Sequence, residues 1–186
     1  MKNGQRYIVV TVAALMALIA VVLASYAYLE YRLQEQGAAA GRGNATCSLR
    51  VLALNGTAEY TVDGCTLEVK SRDTFVVLWL QAPYRVEEGW LRLRVSTEKP
   101  LSMIVEYAPS GSNVTGSRIV FPVKGEAEVR VRIVHGAVDQ VYIGGKPAGR
   151  AISPYILASG PSRNLLKITL WGPLGVEAKI DLLPPG

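Results

Sequence analysis

The segment over residues 8–29 constrains this chain most, because its 22 residues include no charged side chain. As an α-helix the segment would be about 33 Å long, which matches a hydrocarbon core of about 30 Å. A buried helix of a soluble protein normally keeps a polar stripe, and this segment has none. The sequence therefore predicts one transmembrane helix over residues 8–29.

The residues that flank this helix predict its orientation. Lys2 and Arg6 precede it, whereas acidic and basic residues are mixed in the stretch that follows. Positive charge on a short flank keeps that flank in the cytoplasm. Residues 1–7 are therefore predicted to be a cytoplasmic stub, and the C-terminal part of the chain is predicted to be extracytoplasmic, in the cell envelope.

The alternative for this segment is a cleaved signal peptide. Ser25-Tyr26-Ala27 fits a small-x-small cleavage pattern, and cleavage near Ala27 would release a secreted protein. The apolar stretch before that site is longer than the usual length of about 7–15 residues, which favours a retained anchor. Residues 30–46, rich in glycine and alanine, are predicted to form a juxtamembrane extension and a flexible stalk.

From residue 47 onward apolar and charged residues alternate, most strictly at 91–95, 126–133 and 176–182. A period of two places apolar side chains on one sheet face and charges on the other. Turn signals recur about every ten residues, which is typical of a sandwich or barrel. The sequence predicts an all-β domain over residues 47–186, an antiparallel β-sandwich of about 9–11 strands. Further apolar runs with β propensity are 74–80, 101–107, 119–123, 138–143 and 165–171.

Two turn signals predict the first hairpins. Asn55-Gly56 is the favoured central pair of a type I′ turn, which predicts that the strands on either side of it pair with each other. Asp63-Gly64 predicts a second hairpin. A two-residue loop there sets Glu59 opposite Glu68, a disfavoured pair of like charges, so a shifted register remains open.

The two cysteines fall close together in this arrangement, because Cys47 lies opposite the Asp63-Gly64 turn and Cys65 follows that turn. A disulfide persists in an oxidising compartment outside the cytoplasm. We therefore predict a Cys47–Cys65 disulfide, with two buried free thiols as the alternative.

Three of the five asparagines begin an N-x-[ST] sequon, namely Asn44, Asn55 and Asn113. All three lie in segments predicted as loops, where a glycan can be accommodated. They are the candidate glycosylation sites, and the alternative is the ordinary preference of asparagine for turns.

No catalytic residue, cofactor-binding residue or metal ligand is predicted. His135 is the only histidine, and its glycine neighbour indicates a turn. Glu87 and Glu88 are adjacent, so on a strand they would point to opposite faces, and they are predicted to form a solvated turn. The glycine-rich segment 144–149 lacks the Ser or Thr that a phosphate loop has after its lysine, which favours a hairpin turn.

The formal net charge is +5 for the chain, and the part from Gly43 onward carries 16 basic and 13 acidic residues. This surplus is too small to indicate a nucleic-acid partner. Arginines on two predicted strands share a face with glutamates, which predicts a solvated, ion-paired face, with a ligand face as the alternative. These residues are Arg92, Arg94, Arg130, Arg132, Glu126 and Glu128.

These observations predict a membrane-anchored envelope protein with a non-catalytic binding, scaffolding or assembly role. Its expected partners are the lipid bilayer, through residues 8–29, and another envelope protein, a glycan or a like subunit, without nucleic acid or a small-molecule cofactor. A hydrophobic helix before a β-domain is similar in architecture to type IV pilins and archaellins, which implies a filament subunit or accessory protein as an alternative. Asn3, where processed pilins have a basic residue before the cleavage glycine, departs from that pattern. An envelope hydrolase that uses strand carboxylates is the alternative of another class.

Overall fold

A computed structural model describes residues 47–185, and this part of the chain is all-β and antiparallel, as predicted. Between residues 47 and 185 there is no helix with the length and apolarity needed to cross a membrane. The predicted cytoplasmic stub, transmembrane helix and stalk lie outside the described residues. The strands are β1 (Arg50–Asn55), β2 (Ala58–Asp63), β3 (Thr66–Ser71), β4 (Phe75–Ala82), β5 (Gly89–Ala108), β6 (Asn113–Val134), β7 (Ala137–Ile143), β8 (Lys146–Ala148), β9 (Arg150–Ala158), β10 (Asn164–Trp171) and β11 (Val176–Leu183).

All eleven strands belong to one hydrogen-bonded network, which is nearly barrel-shaped. β5 and β6 are 20 and 22 residues long, and each has two parts. The first part of β5 pairs with β11 and its second part with β10, while β6 pairs first with β9 and then with β7. The register of β5 against β6 shifts between Thr97 and Leu101, next to Pro100. Long strands that bend in this way make the corners between two packed layers.

The bends divide the network into two half-sheets. The first half-sheet contains β2, β3, β11, the first part of β5, the second part of β6, β7 and β8. The second contains β1, β4, β10, the second part of β5, the first part of β6 and β9. Alternate apolar residues of both half-sheets are buried in a single core, including Leu67 and Val69 from the first and Leu78 and Leu80 from the second.

The predicted pairing of the strands around Asn55-Gly56 is wrong. β1 pairs with β4, with Asn55 opposite Val77, and β2 pairs with β3. A turn does form at Gly56, whose φ is positive at 112°. This turn carries the chain from one half-sheet to the other and does not close a hairpin. The Asp73 carboxylate holds this corner, because it accepts hydrogen bonds from the Thr57 N–H at 2.6 Å and the Thr57 hydroxyl at 2.7 Å. β1 thereby covers the edge of the apolar strand β4, which a local hairpin would have left open.

The β2–β3 hairpin forms, but in the shifted register. Asp63 pairs with Thr66, so the loop consists of Gly64 and Cys65. Glu59 then lies opposite Lys70 rather than opposite Glu68. The shift replaces the repulsion of two glutamates by an opposite-charge pair, which is its physical reason.

Two further differences concern strand number and length. The predicted strands at 91–95 and 101–107 are one continuous β5, and those at 119–123 and 126–133 are one continuous β6. β9 was not predicted, because Pro154 interrupts its pattern and proline normally argues against a strand interior. β9 lies at an edge, where proline is tolerated.

Tyr155 of β9 closes the gap where β6 diverges from β5. Its buried hydroxyl donates to the Tyr107 carbonyl at 2.9 Å and accepts from the Val138 N–H at 2.9 Å. It also accepts from the Tyr107 N–H at 3.3 Å. The Tyr155 ring lies across Gly116, where a Cβ atom would be only 2.6 Å from ring atoms. One side chain therefore satisfies backbone groups that a neighbouring strand would otherwise satisfy.

Candidate functional site

The outer surfaces of the two half-sheets differ in chemistry. The outer surface of the first half-sheet, here called the charged face, carries the arginines and glutamates singled out in the sequence. Arg92 and Arg130 lie 3.1 Å and 3.0 Å from Glu128, and Arg94 lies 3.7 Å from Glu126. The hydrogen bonds from Arg130 and Arg92 lower the pKa of the Glu128 carboxyl. The geometry agrees with the solvated, ion-paired interpretation of this face.

A shallow groove of about 350 Å³ crosses the charged face over β2, β3, β11 and β5. Both lysines in its lining are ion-paired, Lys70 with Glu177 at 3.2 Å and Lys179 with Glu68 at 3.1 Å. The hydrogen bond to Glu68 raises the pKa of Lys179. These cations already have carboxylate partners, so the groove is not a cradle for an anionic ligand.

The outer surface of the second half-sheet carries more apolar side chains than the charged face, with Ser102 and Thr169 among them in the same cross-strand rows. It is here called the apolar face, and cross-strand pairing aligns its members in rows, with Phe75 opposite Trp171 and Ile104 opposite Val120. Phe75 is 50% exposed and Trp171 is 59% exposed. Large contiguous apolar patches on a protein surface mark interaction sites. The apolar face consists of Phe75, Trp79, Ile104, Val120, Pro122 and Trp171, together with Val77, which is buried.

A buried ion cluster borders the apolar face. The Glu106 carboxylate, 2% exposed, lies 2.6 Å from Arg118 and 2.5 Å from Lys167. The Lys167 ammonium also lies 5.0 Å from the centre of the Trp79 ring, within reach of a cation–π interaction. Because both cations converge on one carboxylate, the cluster holds β5, β6 and β10 together, and it does not have the paired carboxylates of a hydrolase.

The apolar face extends towards one end of the domain. Phe75 and Trp171 lie at the end of β4 and β10 that is remote from Arg50, which pairs with Gln81 at the opposite end. Leu174, 71% exposed, follows in the loop between β10 and β11. The chain enters the described domain near Arg50, so the exposed aromatic residues lie about 20 Å from that entry along the strands.

The remaining predicted residues are the two cysteines and the asparagines of the sequons. The Cα atoms of Cys47 and Cys65 are 5.3 Å apart, at disulfide distance, and the Leu49 N–H donates to the Gly64 carbonyl beside them. This arrangement is consistent with the predicted bridge. Asn55 at the end of β1 and Asn113 at the start of β6 are both exposed, and Asn44 lies outside the described residues.

The predicted turns are confirmed. His135 lies in the β6–β7 turn with a positive φ of 50°, and its Nδ1 is 3.1 Å from the Glu88 carboxylate. Glu87 pairs with Arg85 at 2.5 Å in the loop before β5. Gly144 and Gly145 form the turn between β7 and β8. Among residues 47–185 no three His, Cys, Asp or Glu side chains are grouped in a way that could hold a metal ion.

The apolar face and Glu106 were not predicted from the sequence. A signal for the apolar face was present in residues 74–80, where outward positions carry Phe, Val and Trp instead of charges. Such continuous apolar runs indicate strands that are covered on both faces. Glu106 is the only charged residue in the run 101–107, which is the pattern of a buried, paired carboxylate.

Comparison with known proteins found no family model and no curated protein that matches the chain.

Proposed function

We propose that this chain is a single-pass membrane protein, anchored by residues 8–29 with a cytoplasmic stub, whose extracytoplasmic β-sandwich binds another envelope protein without catalysis. The two half-sheets are the layers of the sandwich. The apolar face is the observation that carries the binding role. An aromatic surface of this kind is energetically unfavourable in water and becomes favourable when a partner covers it.

The position of the exposed apolar residues supports this proposal. Phe75, Trp171 and Leu174 lie at the end of the domain remote from the chain's entry near Arg50. Residues 30–46 provide a tether, so this end can reach a neighbour in the envelope. Aromatic residues are also the side chains that most often dominate binding energy at protein interfaces.

Photo-cross-linking tests the binding role. We would replace Trp171 with p-benzoylphenylalanine in the full chain in intact cells, and place the same group at Arg94 on the charged face as the matched control. We expect one distinct cross-linked product from position 171 and none from position 94. A ladder of self-cross-links would instead support the filament alternative, and equal products from both positions would contradict the role of the apolar face.

The anchored arrangement has its own test. We expect the chain in the membrane fraction after a carbonate wash, with an intact N-terminus by mass spectrometry. A mature N-terminus at Tyr28 would show cleavage and would replace the anchored model by a secreted one.

The exposed sequons support glycosylation of the external domain at Asn55 and Asn113, with Asn44 as the third candidate. Asn113→Gln should increase electrophoretic mobility by one glycan, with Asn164→Gln, which is not in a sequon, as the control. Identical mobilities for the two variants would argue against a glycan at Asn113.

A further inference from the structure

The outer edge of β9 is open. β9 pairs with β6, and among residues 47–185 no strand pairs with its other edge. The Ser159 N–H donates to the Ser112 carbonyl, so this residue points its backbone groups towards the β6 side. Because backbone direction alternates along a strand, Pro154, Ile156 and Ala158 point theirs towards the open edge. Proline fits there, since its missing N–H removes no bond to β6.

This edge lacks the charged side chains that discourage pairing, and its one protective residue is Pro154, which removes a single N–H donor from the edge. Residues 151–162 include no charged side chain, and Ile156 is 76% exposed. Edge strands normally carry charges that discourage another strand from pairing with them. The edge strand β2 is protected in this way, because pairing with a second β2 about Thr61 would set Glu59 against Asp63.

We propose that β9 pairs antiparallel with β9 of a second copy of this chain, centred on Ile156. In this pairing the Ile156 N–H donates to the Ile156 carbonyl of the second copy, and the reverse. The Ala158 N–H of each copy donates to the Pro154 carbonyl of the other copy. The two Ile156 side chains meet on one face, and no like charges oppose each other. The contact is two-fold and self-complementary.

The paired segment is short, so this contact buries less area than a standard stable interface. It therefore depends on a high local concentration of copies. The membrane anchor of the proposed function provides that concentration, because tethered copies meet far more often than copies free in solution. The inference rests on the proposed function for this tether alone, and it does not involve the apolar face.

Cysteine cross-linking of the full chain in cell membranes tests the pairing. In Ile156→Cys the two Cα atoms would be about 5.5 Å apart, within the range that a disulfide spans. In Ala158→Cys the two Cα atoms would be about 13 Å apart, beyond that range. Lys146→Cys, exposed at the β7–β8 turn, is the control for chance collisions.

After mild oxidation we expect Ile156→Cys to form a covalent dimer at least ten times more efficiently than Lys146→Cys or Ala158→Cys. Equal cross-linking of all three variants overturns the proposal, and so does cross-linking no greater than in the unsubstituted chain. Ile156→Lys provides a second measurement. It should abolish resonance energy transfer between fluorescently tagged copies in the cell membrane and leave Tm unchanged, since its side chain is exposed. Absence of the chain from the membrane fraction would contradict the proposed function instead, which keeps the two failures separate.

Discussion

The hydrogen bonds of the buried Tyr155 hydroxyl predict how much stability is lost when this hydroxyl is removed. Tyr155→Phe removes the partner of the Val138 N–H, the Tyr107 carbonyl and, more weakly, the Tyr107 N–H in a buried site. Each unsatisfied buried group costs about 1–3 kcal/mol, and the hydroxyl itself no longer has to be desolvated. We expect the free energy of unfolding to fall by about 3 kcal/mol. For a domain of this size Tm should fall by roughly 10 °C.

Chemical denaturation and calorimetry measure this loss, and amide hydrogen exchange locates it. The Val138 amide should exchange faster in Tyr155→Phe, because it has lost its acceptor. Tyr60→Phe is the matched control, since Tyr60 is 45% exposed and an exposed hydroxyl contributes within about 0.5 kcal/mol. A loss in Tyr155→Phe no larger than in this control, with Val138 exchange unchanged, would refute the reasoning.

Three other predictions follow from the described residues. Burial raises the pKa of Tyr155 and Tyr107, so these groups ionise at a lower pH in the unfolded chain than in the folded one. The free energy of unfolding should therefore not depend on them below about pH 9 and should fall as pH rises above about 10. Denaturation measured at several pH values checks this, and the fall should be less steep in Tyr155→Phe. Cys47→Ser should lower the free energy of unfolding by about 3 kcal/mol, and a reducing agent should destabilise the unsubstituted chain but not this variant. Glu106→Gln leaves Arg118 and Lys167, which are partly buried, without their carboxylate partner. The free energy of unfolding, measured by denaturation, should fall by about 2 kcal/mol, with little change in the exposed control Glu98→Gln.

Local patterns in the sequence were sufficient for much of the fold. The alternation at 126–133 and 176–182 predicted strands, and the charge conflict between Glu59 and Glu68 already indicated the shifted β2–β3 register. The partner of β1 was not predictable in this way. The Asn55-Gly56 turn favours a local hairpin, and only the exposed edge of β4, which is distant in sequence, makes the other pairing better. Sheet pairing depends on such non-local packing, whereas turn preference is local.

The candidate site could be predicted less well, for a related reason. The sequence of an apolar run such as 74–80 does not show whether the second face of the strand is covered by the protein's own core or by a partner. Only the pairing of β4 with β10 shows that Phe75 and Trp171 lie together on an outer surface. The same sheet buries Glu106 between two cations at the border of that surface. The fixed ion cluster gives the neighbouring strands a rigid platform, and the exposed aromatic residues beyond it are free to contact another molecule. This division within one half-sheet is what connects the fold to the proposed binding role.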